Sequence, residues 1–416
     1  MLKSTIKKIK KCRICNTSQL TNFLHFGEMP LVNNFLTSYQ LSDHEPKFPL
    51  TVCFCANCGL VQTREVVDPE ILYKNYVYIS SFSKTMEDHF QYLVHSLTSR
   101  FHLTSRSFVV EIGSNDGTLL KLFKKIGVDV LGVDPAKNLA KIANQQGIET
   151  WNTFFNKKIS KQILKEKRHT ASLVIGTNVF AHIDNLKNIL EGLNLILGDQ
   201  GIFVAEFPYL VDLIQGMEFD TIYHEHLSYF SLLPLVNLFK RFNLELFDAE
   251  RTEIHGGSII IYVKKKGLKT SVSKNLLQLL TLEKRLNIHN IKTLKSFADK
   301  VKIVRKDLKQ LLVKLKKQNK TVVGYGAPAK GNILLNYCGI DNSLIDHLTD
   351  NIPYKHGLYS PGTHLQVFPQ ETIYEQRPDY LLLLAWNFKK EILNKLNDYR
   401  KQGGKIIIPI PKVEII

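Results

Sequence analysis

The sequence predicts an α/β protein whose central part is a doubly wound parallel sheet. Between residues 107 and 207, short apolar segments alternate with amphipathic segments of helical length, a pattern typical of parallel strands joined by helices. Two further apolar segments, 244–249 and 258–264, have no helix between them and indicate a closing antiparallel pair. Five of the six cysteines lie within the first 58 residues, which sets that region apart.

The elements of the sheet can be assigned in order from their apolar periodicity. Residues 80–105 are expected to form a helix ahead of the first strand. The predicted strands are 107–112, 128–133, 149–154, 171–176 and 201–207. The predicted helices that connect them are 118–126, 136–146 and 186–197.

The last third of the chain predicts a helical connection followed by a second α/β unit. From about residue 272 to 319, leucines and isoleucines recur at three- and four-residue spacing, which is typical of helices with one buried face. The elements of the second unit are a helix at 330–337 and strands at 321–325, 380–385 and 405–410. We therefore expect three domains, at residues 1–75, 76–271 and 272–416, in a chain of 416 residues.

The composition limits the class of protein. No segment approaches the roughly 20 uninterrupted apolar residues of a membrane span, and no apolar signal-peptide core follows the basic N-terminus, so we expect a soluble cytoplasmic protein. The formal net charge of +17 would suit an anionic partner. However, the lysine runs lack the interleaved aromatic residues of a nucleic-acid surface. We expect neither nucleic acid nor a membrane as a partner.

The N-terminal cysteines predict a structural zinc site. Cys12 and Cys15 form one C-x-x-C pair, and Cys55 and Cys58 form a second. Two such pairs supply the four thiolates of a tetrahedral site, which leaves no open position for catalysis. Cys53 has the less usual C-x-C spacing and is interpreted as a buried thiol outside the ligand set.

A glycine-containing loop, residues 110–117, follows the first predicted strand and begins a helix. It does not match the G-x-G-x-x-G fingerprint of dinucleotide-binding proteins, since Asn115 occupies the second glycine position. The acidic Asp134 at the end of the next strand suits a ribose diol. The candidate cofactor-binding residues all lie at the carboxyl edge of the sheet: Glu111, Gly113, Asn115, Asp116, Gly117, Asp134 and Asn178. Asp116 as a helix cap and Asp134 as a turn residue remain structural alternatives.

The segment Tyr223-His224-Glu225-His226 lies in an insertion after the fifth strand, at the edge that faces the ligand crevice. Its residue types allow metal binding, structural hydrogen bonding or acid–base chemistry. Histidines two positions apart do not share a helix face, and the H-E-x-x-H metal motif is absent. A neutral imidazole can remove a proton near pH 7 when a carboxylate or a phenol orients it.

Seven motifs together resemble the nucleotide-sugar C-methyltransferases, including 4-keto-deoxysugar C-3 methyltransferases, and they span nearly the whole chain. They are 55–62 (CANCGLVQ), 110–117 (VEIGSNDG), 223–231 (YHEHLSYFS), 255–258 (HGGS), 324–332 (GYGAPAKGN), 359–363 (YSPGT) and 384–387 (LAWN). The resemblance implies a zinc-binding N-terminal domain, a central class I S-adenosylmethionine (SAM) methyltransferase domain with a Rossmann-like fold, and a C-terminal Rossmann-like α/β domain. It also implies that the last domain binds the nucleotide-sugar.

The resemblance further implies catalytic roles for residues of this chain. His226 would remove the proton at C3 of the sugar, beside the C4 ketone. Tyr223, Glu225 and His182 would line the pocket, as would a tyrosine ahead of the Ser-Ser pair, mapped here to Tyr78 with Tyr76 as the near alternative. The loop at 324–331 would hold the substrate's diphosphate at a helix N-terminus, with a purely structural turn as the alternative.

The sequence therefore predicts a SAM-dependent C-methyltransferase of deoxysugar biosynthesis, with structural zinc, acting as a monomer or weak homodimer. An O- or N-methyltransferase on a related molecule is the first alternative. A zinc-ribbon protein that binds nucleic acid without catalysis is a remote one, because it gives no role to the residues at 223–226.

Overall fold

The computed structural model describes residues 5–73, 76 and 84–416. Its N-terminal region is built from short strands around the predicted cysteine pairs. The elements are β1 Ile6–Lys8, β2 Leu20–Pro30, β3 Lys47–Cys55, β4 Val61–Thr63, β5 Glu65–Val67 and α1 Pro69–Tyr73. Strands β2, β3 and β4 form an antiparallel sheet, and β1 pairs with β5.

The central region has the predicted alternation of strands and helices. Its strands are β6 Phe108–Ile112, β7 Asp129–Val133, β8 Thr150–Trp151, β9 Ala171–Thr177, β10 Leu197–Pro208, β11 Ser228–Tyr229, β12 Leu244–Thr252 and β13 Ser258–Lys265. Its helices are α2 Lys84–Phe101, α3 Thr118–Lys125, α4 Lys137–Gln145, α5 Lys157–Lys167, α6 Leu186–Ile196, α7 Leu210–Gln215 and α8 Leu232–Lys240.

The seven-stranded central sheet has the order β12-β13-β10-β9-β6-β7-β8. Strands β6 to β10 are parallel, while β13 runs antiparallel to both β10 and β12. Every residue of β6 is buried, as expected for a strand with helices on both faces. The predicted doubly wound sheet with an antiparallel closing pair is confirmed, and the loops at the carboxyl ends of β6, β7 and β9 meet at one edge.

The insertion after β10 is ordered by the N-terminal region. Its strand β11 pairs antiparallel with β4, so the sheet built from β2, β3 and β4 gains a fourth strand from the central region. The sequence did not predict this pairing, because β11 is only two residues long. The segment that contains His226 is thereby fixed between the two regions.

Helices α9 Lys274–Arg285 and α10 Ile291–Lys317 form the predicted helical connection. Their apolar stripe is packed inward, with Leu276 and Leu294 each only 1% exposed. The C-terminal sheet follows in the order β16-β15-β14-β17-β18-β19, parallel except for β19. Its elements are β14 Val322–Tyr325, α11 Ala329–Cys338, β15 Leu348–Asp350, β16 Val367–Pro369, α12 Thr372–Gln376, β17 Tyr380–Leu383, α13 Lys389–Lys395, α14 Asn397–Lys401, β18 Lys405–Ile408 and β19 Glu414–Ile415.

In the part of the chain that the structure describes, no helix is both long and apolar enough to cross a bilayer. Several boundaries differ from the sequence prediction, and helix α5 was not predicted. Strand β10 begins at Leu197 instead of residue 201, and the strand expected at 149–154 is reduced to Thr150–Trp151.

Candidate active site

A cavity of about 1020 Å³ lies at the carboxyl edge of the central sheet and is lined by all three regions of the chain. Single small-molecule sites commonly occupy about 300–1,000 Å³, so this cavity has room for a cofactor and a second ligand together. Gly113 and Asp134 line it from the central region, Asn33 from the N-terminal region and Lys330 from the C-terminal region.

The loop after β6, which the sequence predicts to be the cofactor loop, forms one wall of the cavity. Gly113 has a φ of +70°, and a Cβ atom there would lie 2.9 Å from Cγ2 of Val179. Only glycine fits that position without displacing its neighbour. Asn115 also lines the cavity, and its N–H donates a 2.8 Å hydrogen bond to Oδ2 of Asp134.

Two carboxylates fit an adenosine-containing cofactor. Asp134 lines the cavity, and its other oxygen accepts a 2.8 Å bond from the N–H of Ala136. Burial raises the pKa of Asp134 to about 6. Burial also raises the pKa of Glu111, whose Oε2 is buried without a hydrogen-bond partner among the described residues. Because Glu111 lines the cavity, that oxygen is free to accept a bond from a bound cofactor.

Asp116 and Gly117 differ from the other candidate cofactor residues, since neither lines the cavity. Oδ1 of Asp116 accepts a 2.7 Å bond from the hydroxyl of Thr118, at the first residue of α3. Gly117 has a φ of +80° and packs against Ala143 and Ile148. The structure therefore favours the helix-start interpretation of Asp116. Asn178 lines the cavity from the loop after β9.

His226 lines the cavity with a defined orientation. Its Nδ1 is 2.7 Å from the carbonyl oxygen of Thr221, an acceptor, so Nδ1 carries the proton and Nε2 keeps its lone pair. Burial, followed by the neighbouring His182, lowers the pKa of His226 well below its usual range. The ring is therefore neutral near pH 7 and can accept a proton at Nε2.

His182 and Tyr223 flank His226. The ring centroid of His226 lies 4.9 Å from that of His182 and 4.1 Å from that of Tyr223. Burial lowers the pKa of His182 to about 4, and its Nε2 is buried without a partner among the described residues. A neutral imidazole with a free nitrogen in a cavity can donate to or accept from a bound ligand.

Glu225 does not line the cavity, which differs from the expectation drawn from the resemblance. Its two carboxylate oxygens accept 2.7 Å hydrogen bonds from the Tyr76 hydroxyl and from Nδ2 of Asn33, and both of those residues do line it. Burial raises the pKa of Glu225 to about 7. Tyr78 lies outside the described residues, so its position stays a prediction.

His224 points away from the cavity. Its Nε2 lies 3.2 Å from the carbonyl oxygen of Pro49, and its ring packs against Phe48 in β3. The two histidines of the segment therefore have different environments: His226 faces the cavity and His224 joins the insertion to the N-terminal sheet.

The four predicted cysteines form one cluster. The Sγ atoms of Cys12, Cys15, Cys55 and Cys58 all lie within 4.8 Å of one another, with 3.6 Å from Cys12 to Cys58 and 3.4 Å from Cys15 to Cys55. Sulfurs bound to zinc at about 2.3 Å are roughly 3.8 Å apart in a tetrahedron, so the cluster fits the ion. Cys53 is buried outside the cluster, and burial raises its pKa to about 12.

Further basic or imidazole side chains that the site prediction did not include also line the cavity, among them His255, Lys330 and Lys355. Nζ of Lys330 donates a 2.6 Å bond to the His255 carbonyl and lies 3.5 Å from Glu218. Lys355 is buried against Asp350 at 3.2 Å. His255 and Lys330 belong to two of the recognised motifs, which could have indicated them.

Comparison with known proteins identifies three consecutive domains. Residues 12–73 match the model described as "Putative zinc binding domain", residues 86–249 match "Methyltransferase domain", and residues 253–411 match "C-methyltransferase C-terminal domain". The chain is 36% identical over all of its 416 residues to the C-methyltransferase NovU of Streptomyces niveus, with 99% of that protein covered. The chain belongs to the C-methyltransferase family.

Family membership makes this chain a SAM-dependent C-methyltransferase with a zinc-binding N-terminal domain and a class I methyltransferase fold. The methyl acceptor is carbon, so the O- or N-methyltransferase alternative and the non-catalytic zinc-ribbon alternative are both excluded. The glycine loop with its free Glu111 oxygen fits the cofactor, and the four-cysteine cluster fits zinc.

Solved SAM-dependent methyltransferases from Clostridium acetobutylicum ATCC 824 and Anabaena variabilis ATCC 29413 match less than half of this C-methyltransferase. They are 11% and 14% identical, with TM-scores of 0.34 and 0.33. The matches cover 44% and 47% of this chain, and 92% and 98% of the solved chains. Similarity at this level says nothing about the substrate.

Proposed function

We propose that this C-methyltransferase transfers a methyl group to C3 of a nucleotide-linked 4-keto-deoxysugar, with His226 as the base. The observation that carries the proposal is the hydrogen bond from Nδ1 of His226 to the Thr221 carbonyl. It leaves the lone pair of Nε2 facing a cavity that the cofactor loop also lines. SAM, when bound, supplies an electrophilic methyl group on its sulfonium.

A base is needed because a sugar carbon is not itself a nucleophile. Nε2 of His226 would take the C3 proton, and the electron pair of the C3–H bond would form an enolate with the C4 ketone. Nε2 of His182, which has no partner among the described residues, can donate a hydrogen bond to the enolate oxygen when it carries the proton of the neutral ring. Tyr223 lines the same part of the cavity beside His226. Transfer of the methyl group to C3 would restore the ketone, with the electron pair of the broken S–C bond left on the cofactor sulfur, and His226 would return its proton to solvent.

The C-terminal domain supports a nucleotide-linked substrate. Strand β14 lies between β15 and β17, so the chain reverses its winding direction beside β14. Ligands bind at such switch points in open α/β sheets. The loop after β14 lines the cavity through Gly326 and Pro328, and the cationic Lys330 and Lys355 lie beside it. This arrangement suits a diphosphate, while the sugar would extend toward His226.

The proposal is tested by proton exchange at C3. Wild-type protein with S-adenosylhomocysteine and a panel of nucleoside-diphosphate 4-keto-6-deoxyhexoses is incubated in deuterated water, and loss of the C3 proton signal is followed by NMR. His226→Asn should bind S-adenosylhomocysteine normally and lose exchange at least about 100-fold. His224→Asn is the control and should exchange at close to the wild-type rate. Exchange retained in His226→Asn overturns the assignment of the base.

A further inference from the structure

The recognised segment 384–387 has no role in the reaction described so far. Its Trp386 belongs to the C-terminal domain and does not line the cavity, although Ala385 and Asn387 on either side do. Nε1 of Trp386 donates a 2.6 Å hydrogen bond to Oδ2 of Asp220 in the insertion of the central domain. This bond crosses the boundary between the two domains.

Asp220 belongs to the 3-10 turn whose last residue, Thr221, binds His226 through its carbonyl. The turn comprises Phe219–Thr221, and its three residues are at most 1% exposed. The backbone N–H of Thr221 donates a 3.1 Å bond to the Glu218 carbonyl, which closes the turn, while the Thr221 carbonyl accepts the bond from Nδ1 of His226. The group that receives the Trp386 bond is therefore one residue from the group that orients His226.

We infer that Trp386 is a positioning residue: by holding Asp220 it fixes the Thr221 carbonyl against Nδ1 of His226. The consequence is a defined tautomer, with the proton on Nδ1 and the lone pair of Nε2 facing the cavity. The inference rests on the proposed role of His226 as the base. It assigns to the C-terminal domain a second task, the orientation of a catalytic group in the neighbouring domain.

The surroundings of the indole support a fixed orientation. Nζ of Lys330 lies 5.1 Å from the centroid of the Trp386 ring, within range of a cation–π contact. Lys330 also binds the His255 carbonyl and lies near Glu218, one residue before the turn. On the far side, Phe219 of the turn packs against Tyr337 of α11 at 5.8 Å. The C-terminal domain therefore contacts the turn at several points. The Trp386 contact is a hydrogen bond, which fixes direction as well as distance, whereas the contact between Phe219 and Tyr337 is ring packing.

Trp386→Phe tests the inference, since it keeps an aromatic ring for Lys330 and removes the N–H donor. The first readout is the tautomer of His226, measured from the nitrogen shifts of ¹⁵N-histidine-labelled protein, with the His226 signals assigned by their loss in His226→Asn. In the wild type we expect Nδ1 protonated and Nε2 unprotonated. In Trp386→Phe the signal should shift toward the other tautomer, and kcat should fall about 10- to 100-fold, because small misplacements of a base have effects of that size. The affinity for S-adenosylhomocysteine should stay within about twofold.

Trp151→Phe is the matched control. Trp151 also donates a hydrogen bond from Nε1 to a carboxylate, that of Glu149, but at the far edge of the central sheet. It should change neither the tautomer nor kcat. If Trp386→Phe lowers only the melting temperature and leaves the His226 signals and kcat at wild-type values, the bond is merely structural and the inference is wrong. If instead His226→Asn stays active, the proposed function fails, whatever the tautomer in Trp386→Phe.

Discussion

Nε of Arg13, inside the first cysteine pair, lies 3.0 Å from Oδ1 of Asp184, two residues after His182. The Arg13 side chain is only 2% exposed, and its Nη1 also donates a 2.7 Å bond to the carbonyl of Thr63. Asp184 lines the cavity. The zinc-binding region is therefore joined by a partly buried ion pair to the loop that presents His182.

Asp184→Asn should destabilise the fold, because it leaves the buried guanidinium of Arg13 without its counter-ion. Removing one partner of a buried pair commonly costs about 3–5 kcal/mol, and the partial exposure of Asp184 reduces the expected loss to about 2–3 kcal/mol of unfolding free energy. Urea denaturation measures it. The exposed pair Lys302–Asp299 supplies the control, since Asp299→Asn should change stability by less than about 1 kcal/mol. Equal effects of the two substitutions would contradict the structural role of Asp184.

Cys55→Ser should remove the zinc and lower catalytic activity. The wild-type protein should hold about one equivalent of zinc, and loss of one of four thiolates should reduce this below about half an equivalent. Activity should fall with the zinc, because the N–H of Thr63 binds the carbonyl of Leu227, immediately after His226. Elemental analysis and methyl-transfer assays follow the two quantities. Cys53→Ala should keep its zinc; if it also loses the metal, the ligand set is wrong.

Gly113→Ala should weaken cofactor binding. The added methyl group would lie 2.9 Å from Val179 in a backbone conformation with φ of +70°, so the cofactor loop must shift. We expect the Kd for S-adenosylhomocysteine, measured by calorimetry, to rise at least about tenfold, which corresponds to about 1.4 kcal/mol. Gly147→Ala is the control: its φ is +78°, but a Cβ there meets nothing within 4 Å. Unchanged affinity in Gly113→Ala would exclude this loop as the cofactor site.

Glu225→Gln should alter how stability depends on pH. Burial raises the pKa of Glu225 from 4.5 to about 7, so the folded state binds the proton more tightly than the unfolded state does. The stability that this group contributes is fully present below about pH 4.5 and is lost as the pH rises through 7. Between pH 5 and 8 the wild type should therefore lose about 2–3 kcal/mol more unfolding free energy than Glu225→Gln.

The control for that measurement is Glu375→Gln, at an exposed position of α12, which should follow the wild-type pH dependence. Parallel curves of unfolding free energy against pH for the wild type and Glu225→Gln would contradict the prediction, because they would show that the pKa of Glu225 is not raised in the folded protein.

The sequence predicted those elements whose signal is local. Strands such as β6 and β9 are runs of apolar residues that helices cover on both faces, and their periodicity is enough to place them. The strands β15 and β16 were missed because each has only three residues, too few to show a periodic pattern of apolar residues. The cysteine cluster was also predictable, since two C-x-x-C pairs restrict the geometry before the chain is folded.

The details of the site depend on contacts between residues far apart in the chain. Spacing could not show that Glu225 lies outside the cavity lining and accepts hydrogen bonds from Tyr76 and Asn33, because the Asn33 contact spans 192 positions in the sequence. Nor could it show that His224 points to Pro49 while His226 faces the cavity. Asp116 illustrates a different limit, since its contact is local: its motif suits a cofactor ligand and a helix cap equally, and the bond from the Thr118 hydroxyl favours the helix cap.

The pairing of β11 with β4 affects how truncated fragments of this chain would behave. A fragment that ends near residue 73 leaves the backbone groups of β4 from Val61 to Gln62 without the partners that Ser228 and Tyr229 provide. An open strand edge recruits other chains and promotes aggregation. The sequence boundary between the first two domains is therefore not a boundary of folding. A zinc-binding unit produced by itself needs the β11 segment, or another strand in its place, to cover β4.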